Sequence, residues 1–208
     1  MIILDIETSG LDPQENGIWQ IGAIELENPK NQFLEEAKID NKDLTQPGAL
    51  EITNKTEEQL RDSNTQSQTQ LLINFFEWVN KINIKMSICQ NPAFDLSFIK
   101  IKAKKYNLTY PFHHRSLDLH SVAQTIQFKT KQKFKILDNK SDMGLSNILE
   151  FVGMSDNRNA HNALEDAKLT AECFSRLIYN KNLLEEYSQF KIPDYFQNKE
   201  NNRPQQTL

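Results

Sequence analysis

The first forty residues carry apolar stretches of strand length, separated by turn residues. Ile2 to Ile6 is rich in β-branched side chains, and Gly10 followed by Asp12-Pro13 marks its end. Two similar stretches run from Ile18 to Leu26 and from Phe33 to Ile39. Three consecutive strands with short connections predict an antiparallel meander at the start of a mixed sheet.

Further along the chain the apolar positions follow a helical period. The segments that predict helices are Thr69 to Ile82, Phe94 to Tyr106, Met143 to Val152 and Ala163 to Tyr179. The last of these is expected to bury Ala167, Ala171, Phe174 and Ile178. The short apolar runs that predict two more strands are Met86 to Gln90 and Phe112 to Leu117. Phe128 to Lys140 is basic and aperiodic, which favours a mobile loop.

Five predicted strands that are followed by alternating helices favour an α/β fold, with a mixed five-stranded sheet flanked by helices. A length of 208 residues suits one domain with a tail. We place the domain at residues 1–180 and a C-terminal extension at residues 181–208. The end of that extension, from about Gln197, is polar and typical of disorder.

The charge of the chain is unevenly distributed. The net charge is −4, but Leu96 to Ser141 holds ten Lys or Arg against two acidic residues, so that segment is about +8 and the remainder about −12. Such asymmetry can mark a phosphate-facing surface. Charge alone favours the other interpretation, which is a solvated helix followed by a basic loop.

Neither cysteine indicates a disulfide or a zinc site, because Cys89 and Cys173 lie far apart inside apolar runs. The N-terminus lacks a signal-peptide pattern, and no apolar stretch reaches the length of a membrane span. We therefore expect a cytoplasmic location and no membrane partner.

Asp5 and Glu7 are the first candidate functional residues. Alternate residues of a strand point to the same face, so both carboxylates would project together while Ile6 faces the core. Two carboxylates that lose hydration repel each other, and a cation such as Mg²⁺ or Mn²⁺ compensates. The alternative is that the strand ends at Asp5 and that Glu7 is solvated, because the pattern D-x-E is common.

A further acidic candidate follows the apolar run that ends at Gln90. Pro92 suits the first turn of a helix, and Asp95 would lie in that turn. An acid in this place can serve as a metal ligand, or it can simply complement the helix dipole.

The last candidates surround the start of the final helix. Asn162 suits an N-cap with Glu165 three residues on, which would fix Asp166 on the helix. His161 would lie on the preceding turn and could swing toward whatever Asp166 binds. The alternative is that His161 is ordinary polar surface.

Taken together, these motifs resemble the DEDDh 3′–5′ exonucleases of the ribonuclease H-like superfamily, and in particular the DNA polymerase III epsilon-type proofreading exonuclease domain. The matching residues, in order, are Leu4-Asp5-Ile6-Glu7-Thr8-Ser9-Gly10-Leu11, Ile21-Gly22-Ala23, Asn91-Pro92-Ala93-Phe94-Asp95 and His161 with Asp166. The resemblance covers roughly Ile2 to Leu177. A sister group carries tyrosine four residues before the last Asp, where this chain has Asn162.

Some positions depart from the commonest family pattern. Ser9 replaces a frequent threonine, and Gln90 stands where histidine is often found. Trp19 and Gln20 stand where an aliphatic residue and often an acid occur. These changes leave the implied metal ligands intact and leave the substrate preference open.

The resemblance implies phosphodiester hydrolysis with two Mg²⁺ or Mn²⁺ ions. The implied metal ligands and catalytic residues are Asp5, Glu7, Asp95 and Asp166, with His161 as the base that takes a proton from the attacking water. The implied substrate contacts are Thr8, Leu11, Asn91, Phe94 and His161. A separate hypothesis, based on the charge of the segment, is that the basic Lys100 to Lys140 region contacts upstream phosphates. The expected products are nucleoside 5′-monophosphates from the 3′ end of single-stranded DNA or RNA.

Three functions remain open at this point. The first is a free-standing exonuclease, and the second is a proofreading subunit that docks on a DNA polymerase. The third is a non-catalytic nucleic-acid-binding module, which the loss of a ligand carboxylate would favour; none is lost. The sequence leaves the choice between DNA and RNA and the oligomeric state undetermined.

Overall fold

The computed structural model of the protein describes residues 1–196, so the prediction for the tail from Gln197 lies outside the described residues. The strands are β1 (Ile2–Thr8), β2 (Ile18–Glu25), β3 (Asn28–Glu36), β4 (Ser87–Cys89), β5 (Leu117–Asp118), β6 (Ile136–Leu137) and β7 (Lys140–Ser141). The α-helices are α1 (Pro47–Thr53), α2 (Glu57–Leu60), α3 (Gln68–Asn80), α4 (Pro92–Lys105), α5 (Leu119–Lys131), α6 (Leu145–Phe151) and α7 (Ala163–Tyr179). Two 3₁₀ helices follow, Glu185–Tyr187 and Asp194–Phe196.

Five strands form one sheet in the order β3-β2-β1-β4-β5, which confirms the predicted mixed five-stranded sheet. β1 pairs antiparallel with β2, and β2 pairs antiparallel with β3, whereas β1–β4 and β4–β5 are parallel. β1 therefore lies at the centre of the sheet. It continues to Thr8, shortly before Gly10, which was predicted to mark its end, so Asp5 and Glu7 both lie within the strand.

Aromatic side chains hold α3 and α4 against this sheet. The ring of Phe75 on α3 lies 5.2 Å from that of Phe33 on β3 and 6.0 Å from that of Phe112. Phe98 and Ile99 of α4 are fully buried in the same cluster. Because α4 is anchored by this core, its first turn is held at the edge of the sheet where β1 ends.

The segment predicted as a basic loop is regular structure instead. Residues 119–131 form α5, and the β6–β7 hairpin follows, so the prediction of a loop from Phe128 to Lys140 is wrong. The apolar pattern did not predict this helix because its buried face includes the polar residues Gln124 and Gln127.

The predicted strand from Phe112 to Leu117 is also largely wrong. Only Leu117–Asp118 pairs as a strand, and Phe112 is instead a buried core residue whose ring lies 5.6 Å from that of Tyr110. Two short helices, α1 and α2, were not predicted. α2 begins with a capping box between Thr56 and Gln59.

The bounds predicted for the last helix, Ala163–Tyr179, are confirmed. Its buried residues include Ala167, Ala171 and Phe174 as expected. Ile178 is an exception, since 40% of its surface is exposed, and Leu177 is buried in its place. The apolar stripe of this helix thus shifts by one residue near its end.

Contacts between Cα atoms divide the chain into two compact units. One comprises residues 1–119 with 157–171, and the other comprises, within the described residues, 120–156 with 172–196. The expected domain boundary near residue 180 stays a prediction. Within residues 1–196, no helix is both long and apolar enough to cross a membrane.

Candidate active site

The central strand β1 carries the first two carboxylates of the site. Asp5 stands opposite Gly22 of β2 and Glu7 opposite Gln20, so both acids have the same neighbouring strand. Glu7 is buried, with 7% of its surface exposed, and Asp5 is partly buried. The pairing register with β2 shifts between Glu7 and Thr8, directly after the acidic pair.

The start of α4 brings Asp95 to the same strand. Asn91 adopts a left-handed conformation with φ 68°, and Pro92 then occupies the first turn of the helix. Asp95 lies in this turn, is buried, and accepts a hydrogen bond from the backbone N–H of Ile6 at 3.2 Å. Its carboxylate is therefore fixed beside the strand segment that carries Asp5 and Glu7.

Two residues of β2 determine how the first turn of α7 approaches the sheet. A Cβ atom on Gly22 would lie 2.1 Å from the backbone of Ala163 and Leu164, so only glycine permits this close contact. The buried Gln20 side chain accepts a hydrogen bond from Ala163 N–H at 2.7 Å. These contacts place Asp166 on the side of the sheet where Asp5 and Glu7 lie.

Asp166 has a positively charged partner on one carboxylate oxygen and a histidine on the other. Arg158 Nη1 lies 2.7 Å from Oδ1, and His161 Nδ1 lies 3.1 Å from Oδ2. Ligand atoms of Glu7, His161 and Asp166 lie within 4.8 Å of one another. His161 precedes the helix as predicted, and its side chain is 47% exposed, whereas that of Asp166 is 3% exposed.

Burial and mutual repulsion shift the pKa values of the clustered acidic side chains. Burial, and then the negative charge of Asp166, raise the pKa of Glu7 to about 7. Burial raises the pKa of Asp95 to about 8, although backbone hydrogen bonds to its carboxylate lower it. Burial and the charges of Asp95 and Glu7 raise the pKa of Asp5 well above its usual range. The hydrogen bond to Asp166 raises the pKa of His161.

This arrangement fits a divalent metal ion. The Oε1 atom of Glu7 is buried and has no hydrogen-bond partner within the described part of the chain, which is costly for a carboxylate unless a cation lies against it. Carboxylate oxygens are the ligands that Mg²⁺ and Mn²⁺ prefer. A cation at this point would also offset the repulsion that raises the pKa values of the three acids.

A family model described as an exonuclease of the RNase T type matches residues 2–174. The chain belongs to this exonuclease family. Exonucleases of this family depend on divalent metal ions.

Similar proteins include both DNA polymerases and a DNA exonuclease. The PolC-type DNA polymerase III of Thermotoga petrophila is 28% identical over 183 residues, which are 85% of this chain and 12% of the polymerase. The 3′-5′ DNA exonuclease Cap18 of Escherichia coli is 28% identical over 85% of this chain and 90% of its own length. The chain thus spans about an eighth of the PolC-type relative and most of Cap18.

Among solved structures, the nuclease domain of 3′hExo, a DEDDh family member bound to rAMP, superposes with a TM-score of 0.64. The two chains are 16% identical, and the match covers 92% of this chain and 94% of that domain. At this identity the likeness shows the fold.

The turn that follows β1 is fixed by hydrogen bonds on one side and exposed to solvent on the other. The hydroxyl of Thr8 donates to the carbonyl of Gly10 at 2.7 Å, and that of Ser9 donates to the carbonyl of Leu44 at 2.6 Å. Leu11 N–H is bonded to the side chain of Gln46, but 73% of the Leu11 surface is exposed. The backbone is rigid, therefore, while Leu11 offers an apolar face to solvent.

The two weaker candidates for substrate contact differ from each other. Asn91 is exposed, and its backbone N–H donates to Asp118 at 3.2 Å. Phe94 is partly buried against the core, with its ring 4.9 Å from that of Phe98. A core role thus fits Phe94 as well as substrate contact does.

Sequence reasoning missed two residues of the site, Arg158 and Gln20. Arg158 lies in an irregular segment whose composition gives no sign that it would contact Asp166. Gln20 had a weak signal, because it follows the buried strand pattern of β2 as a polar residue. A buried polar side chain beside a glycine indicates a close tertiary contact, here with the start of α7.

Proposed function

We propose that this protein removes nucleotides from the 3′ end of single-stranded nucleic acid and releases nucleoside 5′-monophosphates. The observation that carries the proposal is the buried Oε1 atom of Glu7, which has no hydrogen-bond partner among residues 1–196, in a group where ligand atoms of Glu7, His161 and Asp166 lie within 4.8 Å of one another. Membership of the RNase T-type exonuclease family supports the same reaction class.

In this proposal Asp5, Glu7, Asp95 and Asp166 hold two Mg²⁺ or Mn²⁺ ions. When bound, such ions lower the pKa of a water and neutralise charge on the leaving oxygen. Two of these carboxylates are held in place by the fold. Asp95 is fixed by its hydrogen bond from the Ile6 N–H, and Asp166 lies on the start of α7, which is hydrogen-bonded to Gln20.

His161 is assigned the role of general base. Its Nδ1 atom faces Asp166 at 3.1 Å, which leaves Nε2 to accept a proton from the attacking water. The Asp166 carboxylate orients the ring and stabilises the imidazolium that forms. The exposed face of His161 and the side chains of Thr8 and Leu11 are assigned to the terminal nucleotide.

The test is a cleavage assay with 5′-labelled single-stranded DNA and RNA, with Mg²⁺, Mn²⁺ or EDTA. We expect a ladder that shortens from the 3′ end and disappears with EDTA. Asp166→Ala should lower the rate by at least about 100-fold, since even outer residues around a metal site cost 10–100-fold. Glu165→Ala, a change at the neighbouring exposed acid, is the matched control. Cleavage that persists in EDTA, or an intact substrate with both metals, would contradict the proposal.

A second candidate, proofreading on a DNA polymerase, is favoured by the similarity to a segment of PolC-type polymerases. In that case the activity depends on the partner, so hydrolysis of a mispaired 3′ end should rise when a replicative polymerase of the same cell is added. Equal rates with and without polymerase would favour the free-standing enzyme. The match to the DNA exonuclease Cap18 covers most of the length of that protein, which supports the free-standing exonuclease.

The choice between DNA and RNA rests on contacts to the 2′-OH. The two relatives differ in this respect, because Cap18 is a DNA exonuclease and 3′hExo is bound to rAMP. Both substrates therefore belong in the assay from the start.

A further inference from the structure

A lysine-rich arm follows the end of α5. We define it as residues 128–141, which comprise the last residues of the helix and the β6–β7 hairpin. It holds five lysines, at positions 129, 131, 133, 135 and 140, against a single acid, Asp138. Its surface therefore has a strong positive charge in a chain whose net charge is −4.

Not all of the basic segment found in the sequence is available to a ligand. Lys102 is fully buried with its Nζ atom 3.1 Å from Asp43, and Lys105 pairs with Asp40 at 2.6 Å. Within the arm, Lys135 bonds to Asn147 at 2.7 Å and Lys131 lies 4.1 Å from the ring of Tyr195. The exposed lysines at positions 129, 133 and 140 extend from this anchored part.

The arm also exposes aromatic and aliphatic surface. The rings of Phe128 and Phe134 stack with centroids 4.8 Å apart and an interplanar angle of 27°, yet 43% and 52% of these residues stay exposed. Ile136 and Leu137 at the hairpin are 62% and 60% exposed. Four large exposed apolar side chains interspersed with exposed lysines are unusual for a surface that contacts only solvent.

The arm has a defined conformation, so these side chains are presented together. Asp138 and Asn139 both have positive φ, 47° and 60°, which gives the hairpin the tight turn that suits strand twist. The Gln124 side chain bonds both backbone groups of Lys135, at 2.8 and 3.0 Å, and it also reaches the Ser141 hydroxyl. This glutamine thereby ties the base of the hairpin to α5.

We propose that this arm is a second nucleic-acid-binding site, in which bases of a single strand stack on Phe128 and Phe134 while Lys133 and Lys140 contact phosphates. The proposal rests on the proposed function for the nature of its ligand. Charge complementarity favours a polyanion, and exposed aromatic faces favour unpaired bases, which stack with little sequence preference.

The test measures binding separately from hydrolysis. The full chain is titrated in EDTA against fluorescein-labelled single-stranded DNA and RNA, with fluorescence anisotropy as the readout. Phe128→Leu with Phe134→Leu keeps the apolar surface but removes the aromatic faces, so affinity should fall at least about fivefold for each base that loses its stack. Lys133→Gln with Lys140→Gln should reduce the slope of log K against log salt by about 0.7 for each phosphate contact removed.

The matched control is Lys30→Gln with Lys42→Gln, which removes two exposed lysines outside the arm, and it should leave the salt slope unchanged. Thermal melting of each variant verifies that the fold is retained. Affinity and slope that are unchanged in both arm variants would overturn the proposal. So would binding of the arm to anionic phospholipid vesicles without binding of oligonucleotides.

The proposed function is tested separately, by hydrolysis of a dinucleotide by the unaltered protein with Mn²⁺. If no hydrolysis occurs, the proposed function fails, but the binding measurements in EDTA still decide whether the arm binds nucleic acid.

Discussion

Asp166 shows how a single side chain can be held by two neighbours of different kinds. One oxygen faces the guanidinium of Arg158, whose side chain is only 8% exposed, and the other faces His161. The charge of Arg158 also lowers the pKa of both Asp5 and Glu7, against the larger effect of burial. Arg158 is thus an internal positive charge of the acidic cluster, in competition with any cation that binds there.

We therefore expect Arg158→Gln to tighten Mn²⁺ binding at pH values above about 8, where Glu7 and Asp95 are mostly ionised. The substitution removes a like charge next to the metal and frees one oxygen of Asp166. Isothermal titration calorimetry measures the change directly, without turnover. Arg158→Lys retains the charge and is the control. Weaker Mn²⁺ binding in Arg158→Gln would mean instead that Arg158 holds Asp166 in the orientation of a ligand.

At the scale of elements, the site depends on how closely α7 approaches β2. Gly22 permits the approach and Gln20 bonds the helix start, so two residues of a strand position an acid that follows about 140 residues later. A shift of one ångström in a catalytic group can cost about 100-fold in rate.

Gly22→Ala should therefore be both less stable and less active. Its Cβ atom would lie 2.1 Å from backbone atoms, which cannot move aside like a flexible side chain. We expect a loss of about 1–3 kcal/mol in unfolding free energy and a fall in kcat of at least about tenfold. Urea denaturation and the cleavage assay measure the two effects. Gly48→Ala is the control, because a Cβ there meets no atom within 4 Å; equal behaviour of the two variants would refute the argument.

Some helices and strands could be predicted from the sequence pattern, whereas others could not. β1, β2, α3 and α7 have continuous apolar patterns, and their bounds agree with prediction to within a few residues. The α5 helix has a half-polar buried face, with Gln124 tied to the hairpin rather than to solvent. A local pattern distinguishes only polar from apolar residues. It therefore assigns a buried glutamine to the surface, and the helix is not predicted.

For the whole molecule, the acidic cluster predicts how stability changes with pH. A carboxyl whose pKa is higher in the folded than in the unfolded chain stabilises the fold fully below its unfolded value and loses that contribution as the pH rises through its folded value. Glu7 and Asp95 are such groups, with folded pKa values of about 7 and about 8. The relevant window therefore runs from about pH 4 to pH 8.

In EDTA, we expect the melting temperature to fall by several degrees between pH 5 and pH 8.5, since about 1 kcal/mol corresponds to 2–4 °C at this size. Saturating Mn²⁺ should remove most of this loss, because the cation binds the ionised form. Asp95→Asn has one titrating group fewer and should give a flatter profile in EDTA. A melting temperature in EDTA that rises steadily over this range would refute the assignment.

The boundary near residue 180 can be tested through a buried ion pair. Arg176 and Glu172 are fully buried, and Arg176 also donates to the carbonyls of Tyr187 and Phe190 at 3.0 Å. Ending the chain at residue 180 removes those acceptors and leaves a buried charge partly unpaired. We expect a loss of about 3–5 kcal/mol in unfolding free energy. A chain that ends at residue 196 retains these contacts and is the control; equal stability of the two would support a domain of 180 residues.

What the sequence by itself determined is the set of acidic residues, the histidine and the elements that carry them. These follow from local properties: residue type, apolar period and the residues that begin or end a helix. Only the tertiary structure decided which of these groups meet, and that Arg158 and Gln20 are among them. Contacts such as that between Gln20 and Ala163 join residues 143 positions apart. They depend on the packing of β2 against α7, and no local pattern contains that information.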